Sequence, residues 1–155
     1  MEDSVVERMT ILASPERCFA VLVDFDSYPQ WAADIKSVAV EERDGLDRAT
    51  VVRFRAAAFG RSTSYTLRYD YRDAPRQLSW TQVAGDLTRR LDGLYRIEPA
   101  DAGCADVAYQ LVVELKVPLP GFVKRRAEER ITGTALGELR ARVEGRGIPG
   151  GREEP

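Results

Sequence analysis

Between residues 35 and 117 the chain repeats one device six times: a run in which apolar and polar residues alternate, closed by a short break. The runs cover 35–42, 48–59, 62–72, 77–83, 88–97 and 106–117, and the breaks fall at Asp44-Gly45, Gly60, Ala74-Pro75, Gly85-Asp86 and Ala102-Gly103. A period of two is the pattern of a strand with one buried face. Parallel neighbours need a crossover of a dozen or more residues, so breaks this short predict consecutive antiparallel pairing. After Pro118-Leu119-Pro120-Gly121 the period changes. Val123, Ala127, Ile131, Ala135, Leu139 and Val143 then recur every fourth residue, which predicts one long helix with an apolar stripe.

The chain ahead of the alternation completes the pattern. Residues 4–13 carry Val5, Val6, Thr10 and Ile11 and read as a strand. Ser14-Pro15 is a helix start, since serine can accept an orphan amide and proline has no amide to waste at the first helical position. That helix runs through Phe19, Leu22 and Val23 and breaks near Asp24; a second short one covers 28–33. The predicted fold is α+β: a curved antiparallel sheet of about seven strands around a long C-terminal helix, with two short helices between strands 1 and 2. A length of 155 residues suits one domain, placed here at 1–145. The glycine- and proline-rich stretch 146–155 is expected to be disordered.

Composition removes several chemistries. With no histidine there is no imidazole base, no Ser-His-Asp triad and no histidine metal ligand. Cys18 and Cys104 cannot alone form a four-thiolate site, and so few cysteines fit a reducing, cytoplasmic setting. A formal charge of −2 makes the whole molecule no magnet for nucleic acid. The acidic start and the charges at Glu7 and Arg8 do not read as a signal peptide, and no apolar run is long enough for a spanning helix. Neither a metal nor a cofactor is expected.

The element order, and the residues at its corners, resemble the START-like, helix-grip superfamily often called SRPBCC. Within it the chain is most similar to the polyketide cyclase/dehydrase and coenzyme Q-binding branch. The resemblance is carried by Ala13-Ser14-Pro15-Glu16, by Asp24-Phe25-Asp26-Ser27-Tyr28-Pro29-Gln30-Trp31, and by Tyr65-Thr66-Leu67-Arg68-Tyr69-Asp70-Tyr71. Leu78-Ser79-Trp80, Asp92-Gly93-Leu94-Tyr95 and Val117-Pro118-Leu119-Pro120-Gly121-Phe122 extend it over about residues 4 to 144. The resemblance implies an apolar cavity between sheet and C-terminal helix. Members bind lipids, quinones, sterols or polyketides there, and a minority cyclise poly-β-ketone chains.

Strand parity then proposes which side chains face that space. Tyr65, Leu67, Tyr69 and Tyr71 share one face, as do Val52, Phe54, Ala56 and Ala58, and Leu78, Trp80 and Gln82. Arg89, Leu91, Gly93, Tyr95 and Ile97 form a fourth set, and Val107, Tyr109, Leu111, Val113 and Leu115 a fifth. The candidate ligand-binding residues are Trp31, Phe54, Tyr65, Leu67, Tyr69, Trp80, Gln82, Arg89, Tyr95 and Tyr109, with Ile131 and Ala135 from the helix. Apolar walls with few polar groups suit a small-molecule site, although the same aromatics would also fill an ordinary core. The small residues Ala56, Ala58 and Gly93 favour an open space. Trp31 either lines the entrance or wedges the short helices against the sheet, and the wedge is the preferred reading. Arg89 either faces inward, where it would need an anionic partner, or sits solvated at a rim if the strand begins after Arg90; the rim is preferred.

No catalytic residue is assigned, because the inward strand positions carry no acid: Asp70 and Asp92 fall on the outer parity. Phe122, Lys124, Arg125 and Arg126 form an apolar and basic lip that could touch a membrane surface transiently, although a solvated helix face is the simpler reading. The leading function is binding of a small hydrophobic ligand. A polyketide aromatase/cyclase is the alternative, and a ribosome- or protein-interaction module is the third.

Overall fold

The computed structural model describes residues 4–58 and 60–145; the tail expected to be disordered lies outside them. Seven strands form one sheet: β1 (Val5–Ile11), β2 (Ile35–Arg43), β3 (Ala49–Ala58), β4 (Arg61–Asp70), β5 (Gln77–Gly85), β6 (Thr88–Pro99) and β7 (Ala105–Leu115). Their order is β1-β7-β6-β5-β4-β3-β2, antiparallel throughout, so β1 closes the far edge by pairing with β7. Consecutive strands are neighbours from β2 to β7, as the short breaks require. Register shifts in the β2–β3, β4–β5 and β6–β7 pairings bend the sheet, because each extra residue increases the local twist.

Helix α1 (Pro15–Leu22) begins as its sequence dictates: the Ser14 side chain accepts from the Arg17 amide at 3.2 Å, with Pro15 in the first turn. A 3₁₀ turn at Phe25–Ser27 leads into the four-residue helix α2 (Tyr28–Trp31). The Tyr28 hydroxyl donates to the Leu22 carbonyl at 2.6 Å and ties α2 back to the end of α1.

The long helix α3 (Gly121–Val143) packs on β1 and β7. A residue repeated every fourth position advances about 40° around a helix per step, so the stripe from Val123 to Val143 winds through about 200°. It therefore cannot present one face. Leu139 and Val143 enter the sealed core with Leu136, whereas Ala127, Ile131 and Ala135 turn toward a cavity and Val123 is exposed. The core face of α3 also includes Glu128, only 2 % exposed. Its carboxylate accepts from the Val113 amide and from the Lys124 ammonium, both at 3.1 Å. Strand β1 pairs only as far as Leu111, so Glu128 meets a β7 amide that β1 leaves uncovered.

Candidate ligand cavity

Between α3, α2 and the strands β3 to β7 lies a cavity of about 540 Å³, within the usual range of small-molecule sites. Its wall is an almost unbroken series of rings. Tyr28 and Trp31 meet at 4.9 Å between centroids, Phe54 and Tyr65 at 5.4 Å, Tyr69 and Trp80 at 5.7 Å, and Tyr95 and Tyr109 at 4.5 Å. Period-two alternation supplies this wall, with Tyr95 directly opposite Tyr109 in the β6–β7 ladder.

Ten of the twelve candidate residues line the space: Trp31, Phe54, Tyr65, Leu67, Tyr69, Trp80, Tyr95 and Tyr109 from the sheet side and corner, Ile131 and Ala135 from α3. Trp31 serves both of its readings, since it is 3 % exposed, packs on Tyr28 and lines the cavity. Its Nε1 has no hydrogen-bond partner among the described residues.

Two candidates do not line the cavity. Arg89 is exposed, as the preferred rim reading has it, but not because the strand begins after Arg90. Strand β6 begins at Thr88, the β6–β7 register shifts between Thr88 and Arg90, and the extra residue is thrown outward. Thr88 and Leu91 occupy the inner face instead. Gln82 does not line the cavity either. Its amide is spent on Thr88, donating to the carbonyl at 2.9 Å and accepting from the hydroxyl at 2.6 Å.

The space expected beside Gly93 is also filled. A Cβ there would lie 2.5 Å from the Gln110 carbonyl oxygen and 2.7 Å from Cζ2 of Trp80, so glycine lets the indole lie flat across the strand. Ala56 does line the cavity. Tyr71 lies outside it, donating to the Ala49 carbonyl at 2.7 Å with the Arg48 guanidinium 4.8 Å over its ring.

The polar members divide by depth. The hydroxyls of Tyr65, Tyr69, Tyr95 and Tyr109 make no hydrogen bond to another described residue and open on the cavity. Burial holds the hydroxyls of Tyr69 and Tyr95 well above the ordinary tyrosine range and raises those of Tyr65 and Tyr109, so all four are neutral phenols. At the rim stand Asp34, Arg61, Arg130, Thr134 and Glu138. Glu138 accepts from the Ala33 amide at 3.1 Å, and burial, then the neighbouring Asp34 charge, push its carboxyl up. Parity along strands could not find Asp34, Arg130, Thr134 or Glu138, because they sit on a connection and on the helix, and Arg61 is the first residue of β4, in what the sequence pattern gives as a break. Helical spacing from Ile131 and Ala135 does point to Glu138, seven and three residues further on.

Outside the cavity, Cys18 and Cys104 are free, and desolvation pushes the buried Cys18 thiol up to about 11, so it behaves as a small core residue. No three described acidic or thiol groups come together in a metal-binding cluster. No described helix is long and apolar enough to cross a membrane. At the lip where α3 begins, Val117 and Phe122 are exposed, but the Lys124 ammonium is engaged by Glu128. Two more basic side chains of α3 are held within the chain, Arg140 against Glu144 and Arg142 on Gln30.

Residues 2–144 match the model of a family described as polyketide cyclase / dehydrase and lipid transport. Among curated proteins none matches the chain. A START superfamily protein from Mycobacterium smegmatis is similar in structure, with a TM-score of 0.87 and 25% identity over 91% of this chain and 97% of that one. The Zhui aromatase/cyclase from a Streptomyces species superposes with a TM-score of 0.80 at 18% identity, covering 93% and 94% of the two chains. A third solved structure, from Thermus thermophilus, follows at 0.76 and 22% identity, over 92% and 97%. The last two likenesses concern the fold alone.

Proposed function

Since the chain belongs to the polyketide cyclase/dehydrase and lipid transport family, we propose that it binds one small, largely apolar molecule in the cavity beneath α3. The observation that carries this reading is the pairing of aromatic walls with phenol hydroxyls that have no partner within the described chain. Apolar surface supplies the affinity, and a few unpaired donors set the orientation. Trp31, Phe54, Tyr65, Leu67, Tyr69, Trp80, Tyr95, Tyr109, Ile131 and Ala135 are the contacts in this reading.

Ala135→Phe tests it, because the new ring would occupy cavity space. Binding of an apolar fluorescent probe should weaken at least about tenfold while the melting temperature holds. An unchanged titration would overturn the reading.

A cyclase is the second reading. What favours it is Glu138, a half-buried carboxyl whose pKa burial raises, at the edge of a phenol-lined space, a setting that suits proton transfer. A poly-β-ketone substrate incubated with wild type and Glu138→Gln should then give different product ratios. Identical ratios would leave binding as the function. The lip residues Val117, Leu119 and Phe122, with Arg125 and Arg126, form the surface through which an apolar ligand would be exchanged with a membrane. With Lys124 spent on Glu128, that attraction is marginal.

A further inference from the structure

Two carboxylates border the cavity with no cation bonded to them among the described residues. Asp34 makes no side-chain hydrogen bond or ion pair among the described residues, and Glu138 bonds only the Ala33 amide. Surface acids in this state are ordinary, but these two stand over a space that selects for charge in a second, independent way. Tyr69, Tyr95 and Tyr109 are each 8 % exposed, and their hydroxyls reach the cavity without a partner. Aromatic faces carry negative electrostatic potential, and phenol oxygens accept hydrogen bonds from N–H groups.

Resting on the cavity reading above, we infer that the ligand is an apolar molecule bearing one ammonium group, with the cation lying between the aromatic faces and the Asp34 and Glu138 carboxylates. The rest of the cavity agrees in sign. Tyr65 is pushed up by the charge of Asp34 after burial, and Tyr95 is reached by that of Glu138. Arg61 and Arg130 also line the cavity, exposed as Asp34 is, and neither is paired with Asp34 or Glu138. Of these four charged groups Glu138 alone is half-buried, so its charge is the least screened by solvent. An anionic ligand would meet the two carboxylate charges, and a neutral one would gain from burial alone.

Three probes of one shape separate the cases: phenylbutylamine, phenylbutanol and phenylbutyrate, titrated at neutral pH and low salt by tryptophan fluorescence and calorimetry. The amine should bind about tenfold more tightly than the alcohol, and the acid more weakly than either. In Asp34→Asn with Glu138→Gln the amine should fall to the level of the alcohol measured on the same variant, with an unchanged thermal melt showing that the variant is folded. Asp34→Asn alone, at an exposed position, should remove part of the advantage if the double variant does not fold. An amine no tighter than the alcohol, or an advantage that survives the substitutions, would overturn the inference while leaving the cavity reading intact. Failure of all three probes would overturn both.

Discussion

The two halves of α3 rest on different interiors. Its C-terminal half meets a sealed core in which Leu22, Leu139, Ile11, Ile97 and Leu111 have no exposed surface at all. Further toward its N-terminus, one face of the helix, with Ala127, Ile131 and Ala135, turns to the ring-lined cavity. The same helix, sheet and residue types thus make a packed end and an open end. What separates them is the filling. Aliphatic side chains from α1, β1, β6 and β7 interdigitate at one end, whereas at the other flat rings stand against the sheet and leave space between themselves and the helix.

The largest expected effect breaks the packed end. Leu139→Ala should cost about 3 kcal/mol in denaturant unfolding, because a sealed site gains a new cavity. Ile131→Ala, over the open end, should cost about half as much or less, since it enlarges a cavity that already exists. Equal losses would mean that the two ends are packed alike.

Hydroxyl deletion sharpens the contrast on a smaller scale. Tyr71→Phe loses the bond to the Ala49 carbonyl and should cost about 1 kcal/mol. Tyr109→Phe removes a hydroxyl with no internal partner, so unfolding should change by less than about 0.5 kcal/mol. Its effect belongs in ligand affinity instead.

The most gradual effect is alkaline. Burial raises the Tyr71 hydroxyl from 10.0 to about 12. Folding then favours the protonated phenol, so its contribution is complete below about pH 10 and is lost as pH rises through about 12. The cavity tyrosines shift in the same direction. Melting temperature followed against pH, with tyrosinate absorbance alongside, should show stability falling over that window and no earlier tyrosine ionisation. Tyrosinate appearing in the folded protein well below about pH 10 would contradict the buried environments.

Much of the architecture was legible because backbone rules act locally. Ser14-Pro15 starts a helix wherever it meets one, and period-two runs joined by short breaks can pair only with their neighbours. Parity along single strands likewise identified the aromatic wall from Phe54 to Tyr109. It failed at Arg89, where one bulged residue reverses the face of what precedes it, and at Gln82, whose partner Thr88 came to hand only when the β5–β6 hairpin closed. The helix stripe misled differently. Spacing of four drifts around the helix, so which of its residues are packed depends on where the sheet curves away.

By itself the sequence determined the element order, the antiparallel pairing and the aromatic character of the concave face. It also excluded histidine chemistry, since composition needs no coordinates. Only the tertiary structure decided that Trp80 covers Gly93, that Glu128 closes the end of β7, and that Asp34 and Glu138 stand together at the rim. The physical reason is range. Periodicity and capping act over a few residues, whereas cavity volume, desolvation and unpaired charge depend on what distant segments bring to the same place.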